Sequence, residues 1–211
     1  MTSSARFEFR AWSRNFAVVE DRIRRLASCE DIRESTEIYL VALRMSACNI
    51  KIRNGAVDTK ALIDERDGLE QWQPEWNGKF PLSALVLSQH VFAPLCEEAP
   101  EFAHRRYTEE QTMEELLRPH PNIVTVGLFK RRFSFSICGC MVECVQALIN
   151  GASLESIAIE SLDPEEVTQV RCTLGLTRFR NVSYPRLVQH VIGMKPQRGG
   201  FEEGGNLGPG N

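Results

Sequence analysis

Strict alternation of apolar and charged side chains recurs in separate segments of the chain and restricts those segments to extended strands. Residues 5–12 read Ala-Arg-Phe-Glu-Phe-Arg-Ala-Trp, so one face carries Phe7 and Phe9 while the other carries Glu8 and Arg10. Successive side chains of a strand point to opposite faces of its sheet. The alternation therefore predicts a sheet whose strands each have one apolar face and one charged face.

Basic residues occupy the charged faces of four such strands. These residues are Arg6 and Arg10, Lys51 and Arg53, Lys60, and Lys130 and Arg132. The opposite faces are apolar, as at Ile50 and Ile52, and must pack against a core. Each basic face then either meets water or lines a cavity, and for a single strand the solvated face is the commoner arrangement. Four basic faces repel one another unless an anion neutralises them, so the pattern favours an anion-binding cavity.

Turn and helix signals arrange the remaining chain into one domain. Asn54-Gly55 separates two alternating segments and predicts a hairpin, because both residues tolerate positive φ. Helical spacing is found near residues 16–26, 164–174 and 185–192. We predict a single domain over residues 1–195, with a helical or irregular insertion at about 68–121, and a disordered Gly-rich tail over residues 196–211.

Composition restricts the class of partner and compartment. The chain has 211 residues, a formal net charge of −3 and 43% hydrophobic residues, so bulk charge gives no reason to expect a nucleic acid partner. The seven cysteines are odd in number, and the opening segment does not resemble a signal peptide. No apolar run approaches a membrane span. We expect a cytoplasmic protein with free thiols; its oligomeric state is not indicated.

The order of the charged strands resembles that of the CYTH domains, the triphosphate tunnel metalloenzyme superfamily. That family opens with an E-x-E-x-K strand, followed by basic strands and late acidic residues. The matching positions here are Lys51 and Arg53 in Lys-Ile-Arg, Lys60, the run Lys130-Arg131-Arg132, and the acids Glu143 and Glu160. The run Ile159–Val167, Ile-Glu-Ser-Leu-Asp-Pro-Glu-Glu-Val, is similar to the acidic strand and following helix of the family.

The resemblance implies an α+β fold: an antiparallel β-barrel that forms a tunnel, with flanking helices and a helical insertion. It also implies a phosphohydrolase that holds a triphosphate or polyphosphate-type anion in a basic tunnel with Mg²⁺ or Mn²⁺, and favours a triphosphatase over an adenylate cyclase. The implied substrate-binding residues are Arg6, Arg10, Lys51, Arg53, Lys60, Lys130 and Arg132. Glu8, Glu143 and Glu160 are the implied catalytic and metal-binding residues.

Two positions depart from the family pattern. Aligned on Glu8, the opening motif carries Arg6 where the family has its first glutamate, and Ala158 precedes Glu160 where the family often has a second acid. Hard divalent cations need several carboxylate or phosphate oxygens, so the remaining acids form a reduced set. An ion pair with Arg10, or with a cation on a neighbouring strand, explains Glu8 as readily as a metal-binding role does.

Three functions follow from these observations. The first is the metal-assisted phosphohydrolase. The second is a catalytically inactive module of the same fold that binds a phosphorylated small molecule or polyphosphate. The third is a structural domain whose basic face contacts an acidic partner. The sequence does not indicate which substrate is bound.

Overall fold

Ten strands and five helices make up the protein, which is represented by a computed structural model that describes residues 4–43, 47–95 and 97–194. The strands are β1 (Arg6–Ser13), β2 (Asp31–Ala42), β3 (Cys48–Arg53), β4 (Ala56–Arg66), β5 (Leu69–Lys79), β6 (Leu82–Ser83), β7 (Arg106–Tyr107), β8 (Ile123–Ile137), β9 (Cys140–Ile149) and β10 (Ala152–Ser161). The helices are α1 (Ala17–Leu26), α2 (Ala84–Leu87), α3 (Glu109–Gln111), α4 (Pro164–Thr173) and α5 (Tyr184–Val191). π-helical turns at Ser88–Phe92 and Thr112–Leu117 extend α2 and α3, and a 3₁₀ turn follows at Ala93–Leu95.

Eight of these strands form a closed antiparallel barrel in the order β1-β10-β9-β8-β2-β3-β4-β5, so the predicted fold class is confirmed. Tight turns join neighbouring strands. The predicted Asn54-Gly55 turn has both residues at positive φ, 52° and 70°, and connects β3 to β4. Asn-Gly suits this turn because its mirror-image geometry matches the twist of the flanking strands.

The apolar faces of the strands point outward and are covered by helices. Phe7 and Phe9 of β1 pack in a buried cluster with Ile23 of α1 and Val167 of α4. On the other side, the outer faces of β2 to β4 pack against the segment between β5 and β8. The charged faces of the same strands therefore point into the barrel.

The insertion is shorter than predicted at its start, because β5 (Leu69–Lys79) lies within the predicted 68–121 range and is a barrel strand. Pro74 and two tryptophans obscure the strand pattern. A register shift places Trp76 opposite Thr59 and Pro74 opposite Lys60, so β5 carries an extra residue at this point. A bulge accommodates a proline because the ladder is already interrupted there. The segment outside the barrel runs from β6 to residue 122.

Helix α5 closes one end of the barrel. Tyr184, Leu187 and Val188 are buried in the same cluster as Tyr39 and the inward-facing apolar residues of β8 and β9. The Gln189 side chain donates a hydrogen bond to the carbonyl of Ala42 at the end of β2. Because α5 occupies this half of the interior, the charged residues are confined to the other half.

Within the described ranges, no helix combines the length and apolarity that crossing a lipid bilayer requires. The predicted Gly-rich tail at 196–211 lies outside the described residues.

Candidate functional site

Glu37 is the centre of the charged interior. Its carboxylate is fully buried and lies 2.9 Å from Lys130 Nζ, 3.4 Å from Lys51 Nζ and 3.3 Å from Arg53 Nη1. The Ser35 hydroxyl donates a further hydrogen bond to it at 3.3 Å. Burial alone would raise the pKa of Glu37, but the three cations together hold that pKa far below its usual value. Glu37 is therefore an ionised carboxylate that holds basic residues from two strands.

Lys130 is enclosed by Glu37 and two tyrosines. Its ammonium donates a hydrogen bond to the Tyr39 hydroxyl at 2.9 Å and lies 3.5 Å from the centre of the Tyr184 ring. Burial, together with repulsion from Lys51, lowers the pKa of Lys130 well below its usual value, although Glu37 opposes this shift. The ammonium group of Lys130, a predicted ligand-binding residue, is thus bound by side chains of the protein itself.

Arg10 is bound to the predicted carboxylates. Its Nε donates a hydrogen bond to Glu8 Oε1 at 2.7 Å, its Nη1 donates one to Ser156 Oγ at 3.0 Å, and its Nη2 lies 4.0 Å from Glu143 Oε2. The guanidinium also lies over the Tyr184 ring, 4.6 Å from its centre. Burial would raise the pKa of Glu8, but Arg10 and the nearby lysines lower it. The interpretation of Glu8 as an ion-pair partner of Arg10 is confirmed.

The predicted acids come from three adjacent strands. Glu8 of β1 lies directly opposite Glu160 of β10, and Glu143 of β9 lies opposite Ala158. Burial, reinforced by the charge of Glu8, raises the pKa of Glu160 to about 7. Glu160 thus takes up a proton near neutral pH while Glu8 stays ionised.

The acids do not fit a divalent cation in this arrangement. A divalent ion needs several carboxylate oxygens that converge on one point. The oxygens of Glu8 and Glu143 instead face the Arg10 guanidinium, and Ala158 supplies no oxygen between them. Within the part of the chain that the structure describes, no group of three or more His, Cys, Asp or Glu side chains is placed to hold a metal ion. The metal role of Glu8, Glu143 and Glu160 stays a prediction.

Lys60 and Arg132 differ from the other lumen-facing cations. Both side chains are partly exposed, and no carboxylate lies within ion-pair distance of either one in residues 4–43, 47–95 and 97–194. Arg132 donates a long hydrogen bond of 3.5 Å to Ser35 Oγ, and its buried Nε has no acceptor. A buried donor without an acceptor is costly, so Arg132 Nε is left with an unmet hydrogen bond in this arrangement.

Two more of the predicted basic residues, Lys51 and Arg53, lie in the half of the barrel that α5 does not occupy. Lys51 and Arg53 have side chains that are 14% and 29% exposed, and Arg53 also pairs with Asp58 at 3.0 Å. Arg6, by contrast, is solvent-exposed at the start of β1 and belongs to neither the Glu37 cluster nor the Arg10 cluster. Six of the seven predicted basic residues thus line the lumen.

Sequence reasoning missed Glu37, Tyr39 and Tyr184. Glu37 and Tyr39 have the same parity on β2, and β2 becomes almost fully buried from Glu37 onward. A single acid next to the apolar run Ile38–Ala42 is the sequence signal that could have identified Glu37. Tyr184 carried no such signal, because its place between Arg10 and Lys130 depends on how α5 enters the barrel.

No known family model and no curated protein matches the sequence. Solved structures do match the fold. A candidate adenylyl cyclase from Hippeastrum, described as having a dominant triphosphatase activity, has a TM-score of 0.52 at 12% identity, with 90% of this chain and 97% of that chain covered. A candidate adenylate cyclase from Bacillus halodurans has a TM-score of 0.50 at 12% identity and covers 89% and 98%.

A conserved hypothetical protein from Pyrococcus furiosus is similar to the same extent, with a TM-score of 0.50 at 15% identity and coverage of 86% of this chain and 99% of that chain. Identities this low establish the fold alone. The chain therefore shares its overall fold, a closed eight-stranded antiparallel barrel, with these proteins, and the fold expected from its sequence is confirmed.

Proposed function

We propose that this chain binds a phosphorylated small molecule or a polyphosphate-type anion in the charged half of its barrel. The observation that carries this proposal is the pair of lumen-facing cations, Lys60 and Arg132, for which the described residues provide no carboxylate at ion-pair distance. Glu8 and Glu160 interact with Lys60 only from further away. The buried Arg132 Nε without an acceptor points the same way.

A phosphate group suits this pair of cations. The Arg132 guanidinium offers a planar fork that matches two phosphate oxygens, and Lys60 offers a compact point charge. Lys51 and Arg53 are partly exposed nearby, and repulsion from both Arg53 and Lys60 contributes to the lowered pKa of Lys51, after the larger effect of burial. An anion placed among these residues would relieve that repulsion.

Binding without a metal is the form of this function that the geometry favours. A metal bridge between phosphate and protein would require Glu8 to release Arg10, its partner at 2.7 Å. Arg10 is 4% exposed, so its release would leave a buried guanidinium without its closest carboxylate. The proposed ligand contacts therefore come from cations alone.

Metal-dependent hydrolysis of a triphosphate is the second candidate function. It is favoured by the meeting of Glu8, Glu143 and Glu160 on adjacent strands, and by the fold relative from Hippeastrum that is described as having a dominant triphosphatase activity. The departures at Arg6 and Ala158 weigh against it, because they remove two carboxylates from the set.

One experiment separates the two. Thermal unfolding is measured with tripolyphosphate and with inorganic phosphate, each with and without Mg²⁺ or Mn²⁺, and phosphate release is followed in the same samples. We expect stabilisation that is independent of metal, without turnover. Phosphate release that depends on Mg²⁺ or Mn²⁺ would establish the hydrolase instead, and no stabilisation by any phosphate compound would contradict both.

A further inference from the structure

Glu37 occupies the position of an anion among three cations. A single carboxylate contacts Lys51, Arg53 and Lys130 at 2.9 to 3.4 Å, deep in the barrel and with no exposed surface. These three basic residues are among those that a phosphate chain would be expected to contact. The Glu37 carboxylate therefore occupies a position that part of a long polyanion would otherwise take.

We infer that Glu37 is a specificity-determining residue that restricts the site to ligands carrying a single phosphate group and disfavours triphosphates. This inference rests on the proposed function, since it names the ligand class of the same site. It concerns the charge of the ligand and not whether the ligand is hydrolysed.

The distribution of ion pairs in the lumen supports a ligand of low charge. Arg10 is paired with Glu8, and Glu37 is shared by three further cations, so Lys60 and Arg132 are the lumen cations in the described residues that have no carboxylate at ion-pair distance. A single phosphate group can contact these two cations without competing with Glu37. Every further phosphate of a longer ligand would have to share cations with Glu37.

Displacement of Glu37 by a longer ligand is opposed by its surroundings. The Glu37 side chain is 0% exposed, so a ligand that took its cations would leave an ionised carboxylate buried and unpaired. Such a group is strongly unfavourable in a protein interior. Glu143, which also belongs to the lumen, adds repulsion against a polyanion.

The test compares the native chain with two variants of strand β2. Glu37→Gln removes the charge and keeps the size of the side chain. Glu34→Gln is the matched control, because Glu34 is 58% exposed and pairs with Arg131 on the outside of the barrel. Each protein is titrated calorimetrically, without metal, with inorganic phosphate, pyrophosphate and tripolyphosphate.

The native chain and E34Q are expected to bind inorganic phosphate at least as tightly as they bind pyrophosphate or tripolyphosphate. E37Q is expected to bind tripolyphosphate at least about tenfold more tightly than the native chain does, because three cations become available, while its affinity for inorganic phosphate changes less. The thermal stability that E37Q loses should be restored by tripolyphosphate more than by inorganic phosphate.

Three outcomes overturn the inference. Native chain that binds tripolyphosphate more tightly than inorganic phosphate would overturn it alone and leave the proposed function standing. Unchanged selectivity in folded E37Q would do the same. No binding of any of the three anions by the native chain would overturn the proposed function itself. If E37Q does not fold, the affinities of the native chain for the three anions still test the inference.

Discussion

Glu8 and Glu160 lie opposite each other across the pairing of β1 with β10, so two carboxylates share one buried environment. Burial and the charge of Glu8 raise the pKa of Glu160 to about 7 from 4.5. A carboxyl group with a raised folded-state pKa favours folding below its unfolded pKa and loses that advantage as pH rises through the folded value. Ionised Glu160 therefore destabilises the barrel above neutral pH.

Substitution of Glu160 by glutamine should stabilise the protein by about 2 kcal/mol at pH 8 and have little effect at pH 4.5, with the change occurring between pH 4.5 and 7. Urea unfolding at a series of pH values measures this. Glu75→Gln, which changes an exposed residue of β5, is the control and should have no comparable pH dependence. An E160Q effect that is the same at every pH would show that Glu160 is not protonated near neutral pH.

The sequence predicted which basic residues face the lumen, but it did not predict their ion-pair partners. Period-two alternation identified six of the lumen-facing cations, because strand geometry alone decides which side chains share a face. The pairing of Glu37 with Lys51 and Lys130 was not predictable, because it joins three strands whose relative registers are set by the closure of the barrel. Alternation shows which face of the sheet a side chain occupies, but it does not show which residues of other strands the side chain contacts.

Among the structural elements, β1 depends on a loop as well as on its neighbouring strands. It pairs with β5 only over Arg6–Glu8, and the loop before α5 satisfies the next backbone groups. Asn181 accepts a hydrogen bond from the Arg10 amide at 2.7 Å and donates one to the Glu8 carbonyl at 2.9 Å. The Val182 amide donates to the Arg10 carbonyl at 2.9 Å. This loop thus holds the strand that carries Arg10 and Glu8.

Replacement of Asn181 by alanine should destabilise the protein by about 1–3 kcal/mol, because two backbone groups of β1 lose their partners. Equilibrium urea unfolding gives the value. Asn122→Ala is the control: the Asn122 side-chain amide donates a solvent-exposed hydrogen bond to the Glu97 carboxylate, and its loss should cost less than about 0.5 kcal/mol. Equal losses in the two variants would mean that the Asn181 hydrogen bonds do not stabilise β1.

Strand boundaries were predictable where the alternation is uninterrupted and the turn residues are distinctive, as at β3 and β4 around Asn54-Gly55. They were not predictable at β5, since Pro74 lacks the amide that a regular ladder needs. The bulge that makes room for Pro74 depends on the partner strand β4, which is not visible in the sequence of β5 itself.

At the scale of the whole molecule, the barrel, the segment from β6 to residue 122 and α5 are joined by one buried cluster. Leu87 and Leu116 of that segment pack in the same cluster as Ile50 of β3 and Val188 of α5. A second buried cluster, which contains Phe9 of β1 and Ile23 of α1, lies on the other side of the same barrel. We therefore expect the described residues to unfold as one cooperative unit, as small single domains generally do.

Leu116→Ala tests this expectation, since Leu116 is 3% exposed and lies outside the barrel. Loss of its side chain should cost about 2–5 kcal/mol, the usual range for a buried leucine. Far-UV circular dichroism and tryptophan fluorescence should shift together in a Trp76→Phe background, which keeps Trp12 and Trp72 of the barrel strands and removes Trp76, whose ring stacks on His90 of the segment. The control, Leu85→Ala, removes a side chain that is 66% exposed and should shift neither signal appreciably. If only the circular dichroism transition moved, the segment would be unfolding independently, and the charged half of the barrel would keep its geometry without it.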